Sequence, residues 1–215
     1  MKPLLSALTL AVLCTAQAAT AQESPTLKKI KDTGTIALGH RESSIPFSYY
    51  DDKQQVIGYS HELMLKVVDA IKAELKLAKL DTKLMPVTSA NRITLVQNGS
   101  VDIECGSTTN NSERQKQVAF SNSIFVIGTK LMTKKTSGIN DFADLAGKNV
   151  VTTAGTTSER LIRKMNEDKK MGMNIISAKD HGESFLTLET GRAVAFMMDD
   201  ALLYGEMAKA KKPGD

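Results

Sequence analysis

Three loops of the sequence combine small hydroxyl side chains with an arginine, a composition that can bind a carboxylate or a phosphate. They read SANR at 89–92, GSTTNNSER at 106–114 and AGTTSER at 154–160. Each lies beside a predicted helix start, and the first turn of a helix exposes unpaired backbone N–H groups at the positive end of its dipole. Serine and threonine at such positions often serve only as helix caps, so a single loop leaves both roles open.

Arginine is the second residue type that indicates an anion site, because its planar guanidinium can hold a carboxylate through two parallel hydrogen bonds. Arg41 follows the first predicted strand, whereas Arg92 and Arg114 end two of the hydroxyl-rich loops. A single arginine is usually solvated on the surface. The three therefore indicate a binding site only if the fold brings them together.

The histidines indicate a binding site less clearly than the arginines do. His181, in KDHGES, either donates to an anion or caps the next helix. No metal-ligand spacing joins His40, His61 and Cys105, so we predict no metal site. The sequence also lacks a nucleophile elbow, a P-loop and a dinucleotide fingerprint, and we expect no cofactor. Acid–base catalysis by scattered carboxylates stays open.

The elements that must position these residues alternate between short β-rich runs and amphipathic stretches, which predicts an α/β fold with a mainly parallel sheet. The alternation starts afresh after a long extended segment at 124–133, so we predict two lobes. Apolar residues at helical spacing indicate the helix at 60–77 most clearly: Leu63, Val67, Val68, Ile71 and Leu75. The other predicted helices span 91–97, 157–170, 183–190 and 200–211. The predicted strands span 35–39, 82–87, 101–104, 149–153, 174–177 and 193–198, with a hairpin-like segment at 47–59.

Several candidate residues directly follow predicted strands. The loops at 106–109 and 155–157 do so, and Asp199 ends the strand AVAFMMD. Open α/β sheets bind ligands at the carboxyl ends of their strands. Two lobes that each offer such an edge would form a cleft.

The N-terminus has the pattern of a secretory signal peptide, with Lys2 before an apolar run at 4–13 and small residues in AQAATAQ. We predict cleavage after Ala18 or Ala21 and export of the mature protein. Leu13 before Cys14 is not the small residue expected ahead of a lipid-anchored cysteine. Without the leader only Cys105 remains, so this thiol is either buried and inert or lacks its partner.

The composition is that of a globular protein, with 41% hydrophobic and 24% charged residues. The net charge of +4 is spread along the chain and forms no basic block, so we expect no nucleic-acid partner. Mild basicity favours a small anionic ligand.

A group of motifs carries a resemblance to a known family. The runs GHRESSIPFSYYD, TSANR, ECGSTTNNSERQKQVAFS, TTAGTTSE, ISAKDHGESF and GRAVAFMMDDALL resemble the periplasmic glutamate/aspartate-binding proteins of amino-acid ABC importers. They extend over nearly all of the mature chain, and GSTTNNSER followed by AFMMDDALL is the most specific combination.

The resemblance implies a role for each candidate residue. Ser107, Thr109, Arg114 and Thr157 would hold the α-carboxylate of an acidic amino acid, and Asp199 its α-amino group. The side-chain carboxylate would meet Arg41, Ser89, Arg92 and His181. The three arginines and Asp199 give a net charge of +2, which favours an anionic amino acid of net charge −1 over a zwitterion. We therefore expect glutamine and asparagine to lose charge-assisted contacts.

The resemblance also implies a two-lobed, type II periplasmic-binding-protein-like fold that closes over its ligand in the cleft. We expect a signal peptide at 1–21, lobe 1 at 22–126, and a hinge strand with lobe 2 at 127–215. We therefore expect the protein to be a periplasmic, monomeric, non-catalytic receptor that delivers L-glutamate or L-aspartate to a membrane permease. A periplasmic enzyme of the cyclic-acid dehydratase kind and a ligand-sensing domain remain alternatives.

One departure from the family concerns the end of the sequence. Relatives continue past the second lobe to complete lobe 1, whereas this sequence stops at KAKKPGD. In those relatives the cysteine of ECGS pairs with a cysteine in that later portion. The resemblance therefore implies that Cys105 is left without its partner.

Overall fold

The computed structural model describes residues 24–214, so the predicted signal peptide at 1–21 lies outside the described residues. The helices are α1 Pro25–Thr33, α2 Tyr59–Glu74, α3 Arg92–Gln97, α4 Thr157–Asp168, α5 His181–Glu189 and α6 Asp200–Ala208. The strands are β1 Thr35–His40, β2 Ser43–Ser44, β3 Ser48–Tyr50, β4 Val56–Ile57, β5 Asp81–Pro86, β6 Ile103–Glu104, β7 Thr129–Thr133, β8 Asn149–Thr153, β9 Asn174–Ala178 and β10 Ala195–Asp199. Among the described residues, none of the helices is long and apolar enough to cross a bilayer.

The first lobe is built on a parallel sheet in the order β5–β1–β6. Strand β1 pairs with β5 over its whole length and with β6 at Leu38 and Gly39. Helices α1 and α2 cover this sheet, because their apolar faces bury Ile30, Met64 and Val68 against Leu38. The arrangement places the carboxyl ends of all three strands at one edge.

The second lobe has a four-stranded sheet in the order β7–β10–β8–β9. Strand β7 runs antiparallel to β10, whereas β10, β8 and β9 run parallel. Phe196 and Met198 point into one core, and Ala195 and Met197 into a second core on the other face, as the period of a strand requires. Helices α4, α5 and α6 follow β8, β9 and β10 in turn.

A small antiparallel sheet of β2, β3 and β4 links the lobes. Although it belongs to the first half of the chain, Phe47 in this segment packs into the core of the second sheet beside Phe196 and Leu202. The backbone N–H of Gly182, on α5, donates to Ser43 Oγ at 3.3 Å. The hairpin therefore contacts both halves of the protein.

The predicted α/β fold is confirmed, but three local predictions are wrong. Helix α2 buries Met64 and Val68, and Ile71 and Leu75 pack against the same core, whereas Val67 is 46% exposed. Val67 shares a helix face with Ser60, and both residues line a groove between elements and not the core. Of the segment at 124–133, only the β7 residues form a strand, since Gly128 exchanges hydrogen bonds with Asp200 at the start of α6.

The third wrong prediction concerns the loop at 106–114, which was expected to precede an α-helix. It is followed by a single 3₁₀ turn at Arg114–Lys116. The side chain of Asn111 accepts from the Arg114 backbone N–H at 2.9 Å and closes a turn at this point. The loop therefore has no α-helical N-terminus to offer a ligand.

Candidate functional site

Most of the candidate residues follow the carboxyl ends of strands, as the sequence predicted. In the first lobe Arg41 comes directly after β1, Ser89 follows β5 and Ser107 follows β6. In the second lobe Thr157 follows β8, His181 follows β9 and Asp199 ends β10. Because parallel strands end at the same edge, each lobe gathers its candidates on one side.

The two edges meet through direct contacts between the hydroxyl-rich loops. Arg114 donates from Nη1 to Thr109 O at 2.9 Å and from Nη2 to Gly155 O at 3.1 Å, so it connects its own loop with the second lobe. The hydroxyls of Thr109 and Thr157 lie 3.5 Å apart. Arg160 and Glu113 form an ion pair across the same boundary. The structure thus brings the candidates of both lobes together at one interface.

Arg41 is the largest fully buried side chain of the described residues, with 1% exposure. Its Nη1 donates to Ser107 Oγ at 3.4 Å, and its Nε has no partner within residues 24–214. Burial lowers the pKa of the guanidinium, and the nearby Glu104 carboxylate opposes that effect. A buried cation with unused donors favours an anionic ligand.

Arg92, the first residue of α3, is also a buried cation with unused hydrogen-bond donors. It is 2% exposed, and its Nε and Nη1 have no partner among the described residues. Burial lowers its pKa to about 9, and the positive charges of Arg41 and Arg114 contribute in the same direction. An anion placed among these arginines would relieve both the desolvation and the repulsion.

Ser89 and His181 add neutral hydrogen-bonding groups. Ser89 Oγ and His181 Nε2 are both buried and have no partner in the described part of the chain. His181 Nδ1 lies 2.9 Å from Thr153 Oγ1, which fixes the ring. Burial, together with Arg41 and Arg92, holds the pKa of His181 well below its usual value, so the imidazole is neutral at pH 7. A neutral imidazole can still donate one hydrogen bond to a carboxylate.

Asp199 supplies a negative group on the opposite lobe. Its Oδ1 accepts from Ser158 Oγ at 3.4 Å, and the side chain is almost fully buried. Burial raises the pKa of this carboxyl, whereas Ser158 and Arg92 lower it. A buried carboxylate facing the cleft is suited to accept hydrogen bonds from an ammonium group.

The helix starts show which residues are caps. Thr156 caps α4 by accepting from the Glu159 backbone N–H, and Asp180 caps α5 by accepting from Glu183 N–H. The capping role left open for the third loop therefore belongs to Thr156, and His181 is not the cap of α5. The side chains of Thr157 and His181 therefore do not cap a helix.

Two grooves reach this interface. One, of about 630 Å³, is lined by Arg92, Ser107, Thr109 and Asp199, together with Glu104. The other, of about 770 Å³, is lined by Ser89, Arg114 and Thr157. Either volume exceeds what one amino acid occupies, and charged groups from both lobes face the grooves.

The sequence reasoning missed the side chain of Glu104 and the contact that Gly155 makes with the other lobe. Glu104 ends β6 in the same way that Asp199 ends β10, so its position at a strand end could have indicated it. Gly155 adopts a φ of 76° and lies against the backbone of Ala90 in the other lobe. No sequence pattern indicates that contact, because it depends on how the lobes dock.

No cluster of residues suited to hold a metal occurs within 24–214. Cys105 is a free, partly buried thiol beneath the site. Burial raises its pKa to about 11, and the adjacent Glu104 carboxylate adds to the shift. The thiol is therefore protonated and unreactive near neutral pH.

Two curated proteins have closely similar sequences. The chain is 68% identical over 213 residues to the L-glutamate/L-aspartate-binding protein of Pseudomonas aeruginosa, with 99% of this chain and 70% of that protein covered. It is 60% identical over 215 residues to the glutamate/aspartate import solute-binding protein of Escherichia coli K12, covering 99% of this chain and 71% of that protein.

A solved structure supports the architecture. The solute receptor for L-cysteine of Neisseria gonorrhoeae superposes with a TM-score of 0.75 at 25% identity, covering 86% of this chain and 71% of that one. Residues 36–210 match the bacterial extracellular solute-binding proteins, family 3. The chain therefore belongs to this family and has its two-lobed, type II periplasmic-binding-protein fold.

Proposed function

We propose that this chain is a receptor that binds L-glutamate or L-aspartate between its lobes and delivers it to the permease of an ABC importer. The observation that carries the proposal is the burial of Arg41 and Arg92 with unused N–H groups, beside a groove that Arg92 shares with Asp199. The names of the relatives from P. aeruginosa and E. coli support the same ligand class.

The charges favour an amino acid with two carboxylates. One carboxylate would be held by Ser107, Thr109, Arg114 and Thr157. The other would be held by Arg41, Ser89, Arg92 and His181. Asp199 would accept from the ammonium group. This assignment uses the unpartnered donors of both arginines, which a neutral side chain such as that of glutamine would leave unpaired.

The proposed mechanism is closure of the lobes over the ligand. The first lobe, with boundaries at 22–126, would bind the ligand, and the second, at 127–215, would then add Thr157, His181 and Asp199. The contacts from Arg114 to Gly155 and between Thr109 and Thr157 support a closed form of this kind. The closed shape would be the one presented to the permease.

The protein would act in the periplasm as a non-catalytic monomer after removal of residues 1–21. This placement is supported by the pattern of Lys2 and the apolar run, and by membership of a family of extracellular binding proteins. Asp199 would be engaged with the ligand ammonium and would not act as a general acid there, which supports binding over catalysis.

Thermal unfolding with and without ligand tests this function. The chain has no tryptophan, so circular dichroism is the appropriate signal. L-glutamate at about 100 times its Kd should stabilise the protein by about 2.7 kcal/mol and raise the midpoint. L-glutamine at the same concentration is the control and should raise it far less. Equal shifts with both ligands, or turnover of L-glutamate, would contradict the proposal.

A further inference from the structure

Glu104 lies among the arginines of the cleft, and none of the ligand contacts proposed above uses it. It is the last residue of β6 and pairs in register with Gly39, so it reaches the edge where Arg41 begins the next loop. Its Oε2 accepts from Thr108 Oγ1 at 2.5 Å. Its Oε1 is buried and, among residues 24–214, has no hydrogen-bond partner. The carboxylate is therefore held in place without being neutralised by a direct partner.

Gly106 brings this carboxylate close to Arg41. A side-chain carbon on Gly106 would lie 2.6 Å from Arg41 Cγ and 2.9 Å from Glu104 Oε1, so the glycine leaves room for both groups. Glu104 also lines the same groove as Arg92 and Asp199. The carboxylate is thus part of the wall of the cleft.

The electrostatic influence of Glu104 extends to all three arginines. Burial lowers the pKa of Arg41, Arg92 and Arg114, and Glu104 is the strongest opposing influence on each of them. This is the effect expected of a nearby negative charge in a site of low dielectric constant.

We propose that Glu104 is a specificity-determining counter-charge that holds the cleft at a net charge of +1. The site contains three guanidinium groups and two carboxylates, and one groove is lined by Arg92, Glu104 and Asp199. An amino acid of net charge −1 would therefore leave the occupied site neutral. A dicarboxylate without an amino group, of net charge −2, leaves an uncompensated negative charge. The inference rests on the proposed function, since it concerns the charge of the ligand that the same cleft accepts.

The test compares L-glutamate with glutarate, which has the same two carboxylates and no ammonium group. The Kd of each is measured by calorimetry, with glutarate in competition, for the wild-type chain and for Glu104→Gln. The substitution keeps the shape of the Glu104 side chain and removes its negative charge. Glu74→Gln, at an exposed position on α2, is the matched control.

We expect the ratio of the glutarate Kd to the L-glutamate Kd to fall about tenfold in E104Q. This corresponds to one unit of ligand charge about 10 Å from the lost carboxylate at an effective dielectric constant of about 20. The ratio should not change in E74Q. A defect in packing alone would weaken both ligands by the same factor and leave the ratio as in the wild type.

An unchanged ratio in an E104Q chain that still binds L-glutamate overturns the counter-charge and leaves the proposed function intact. Binding of L-glutamate by the wild-type chain tests that function separately. If E104Q shows no cooperative unfolding without ligand, its melting is measured with each ligand at equal concentration. The midpoint rise with glutarate, taken relative to the rise with L-glutamate, is compared with the same quantity for the wild type. A larger relative rise in E104Q supports the inference, whereas the same relative rise in both chains overturns it.

Discussion

The α-carbon of Ala90 lies 2.5 Å from the point where a side-chain carbon on Gly155 would be placed. The two residues belong to different lobes, and the Ala90 amide nitrogen is also within 2.7 Å of that point. Real side-chain carbons do not approach backbone so closely. Contact between the lobes at this place therefore requires a glycine.

We predict that Gly155→Ala hinders closure. The added methyl group would meet the Ala90 backbone, which has no flexible atoms to move aside, so the affinity for L-glutamate should fall at least about tenfold. Scattering should show less compaction with ligand than in the wild type.

Gly191→Ala is the matched control for this prediction. Gly191 has a φ of 77°, nearly the same as the 76° of Gly155, but nothing lies within 4 Å of its side-chain position. Both substitutions cost about 1 kcal/mol in backbone strain, and only one creates a contact between the lobes. If both variants lost the same affinity, strain and not the contact would be responsible.

Arg92→Met should raise the stability of the ligand-free protein and lower its affinity for L-glutamate. The substitution removes a buried cation whose Nε and Nη1 have no partner in the described residues, so we expect the ligand-free protein to gain roughly 1 to 3 kcal/mol. It also removes charge-assisted contacts to the ligand, and the affinity for L-glutamate should fall more than about tenfold.

Denaturant unfolding and calorimetry check both expectations for Arg92→Met. The control is Arg192→Met, at an exposed position, which should change neither quantity appreciably. A loss of stability in the ligand-free Arg92→Met chain would show that the arginine is satisfied within the fold and is not held for a ligand.

Glu206 on α6 should give the protein a pH-dependent stability. It is 5% exposed and burial raises the pKa of its carboxyl to about 7, with Lys209 opposing the shift and Asp180 adding to it. The folded state therefore binds this proton more tightly than the unfolded state, whose carboxyl has a pKa of about 4.3. The stabilisation is present at low pH and is lost as the pH rises through about 7.

We predict that Glu206→Gln raises the free energy of unfolding by about 3 to 4 kcal/mol at pH 8 and by only about 1 kcal/mol at pH 5. Urea unfolding at the two pH values measures the difference. Glu74→Gln again serves as the exposed control. The same increase at both pH values would assign the effect to packing instead of ionisation.

Most strands and helices could be predicted from the sequence. The predicted strand at 149–153 coincides with β8, because a short β-branched run indicates a strand buried on both faces. The helix predicted at 157–170 begins with α4 and ends two residues beyond it, because helical spacing of apolar residues reports the buried face. The positions of Arg41 and Asp199 at strand ends also followed from the order of elements. Strand ends in a parallel sheet share one edge whatever the details of packing.

The tertiary structure decided the rest, because burial and contact between distant residues depend on how whole elements dock. Phe47 fills the core of the second sheet although the chain places it in the first half, and Val67 lines a groove instead of the core despite its helical spacing. The sequence showed three arginines in separate loops. Only the docked lobes bury two of them with unused donors and bring Glu104 and Asp199 into the same groove, which creates the charge balance of the cleft.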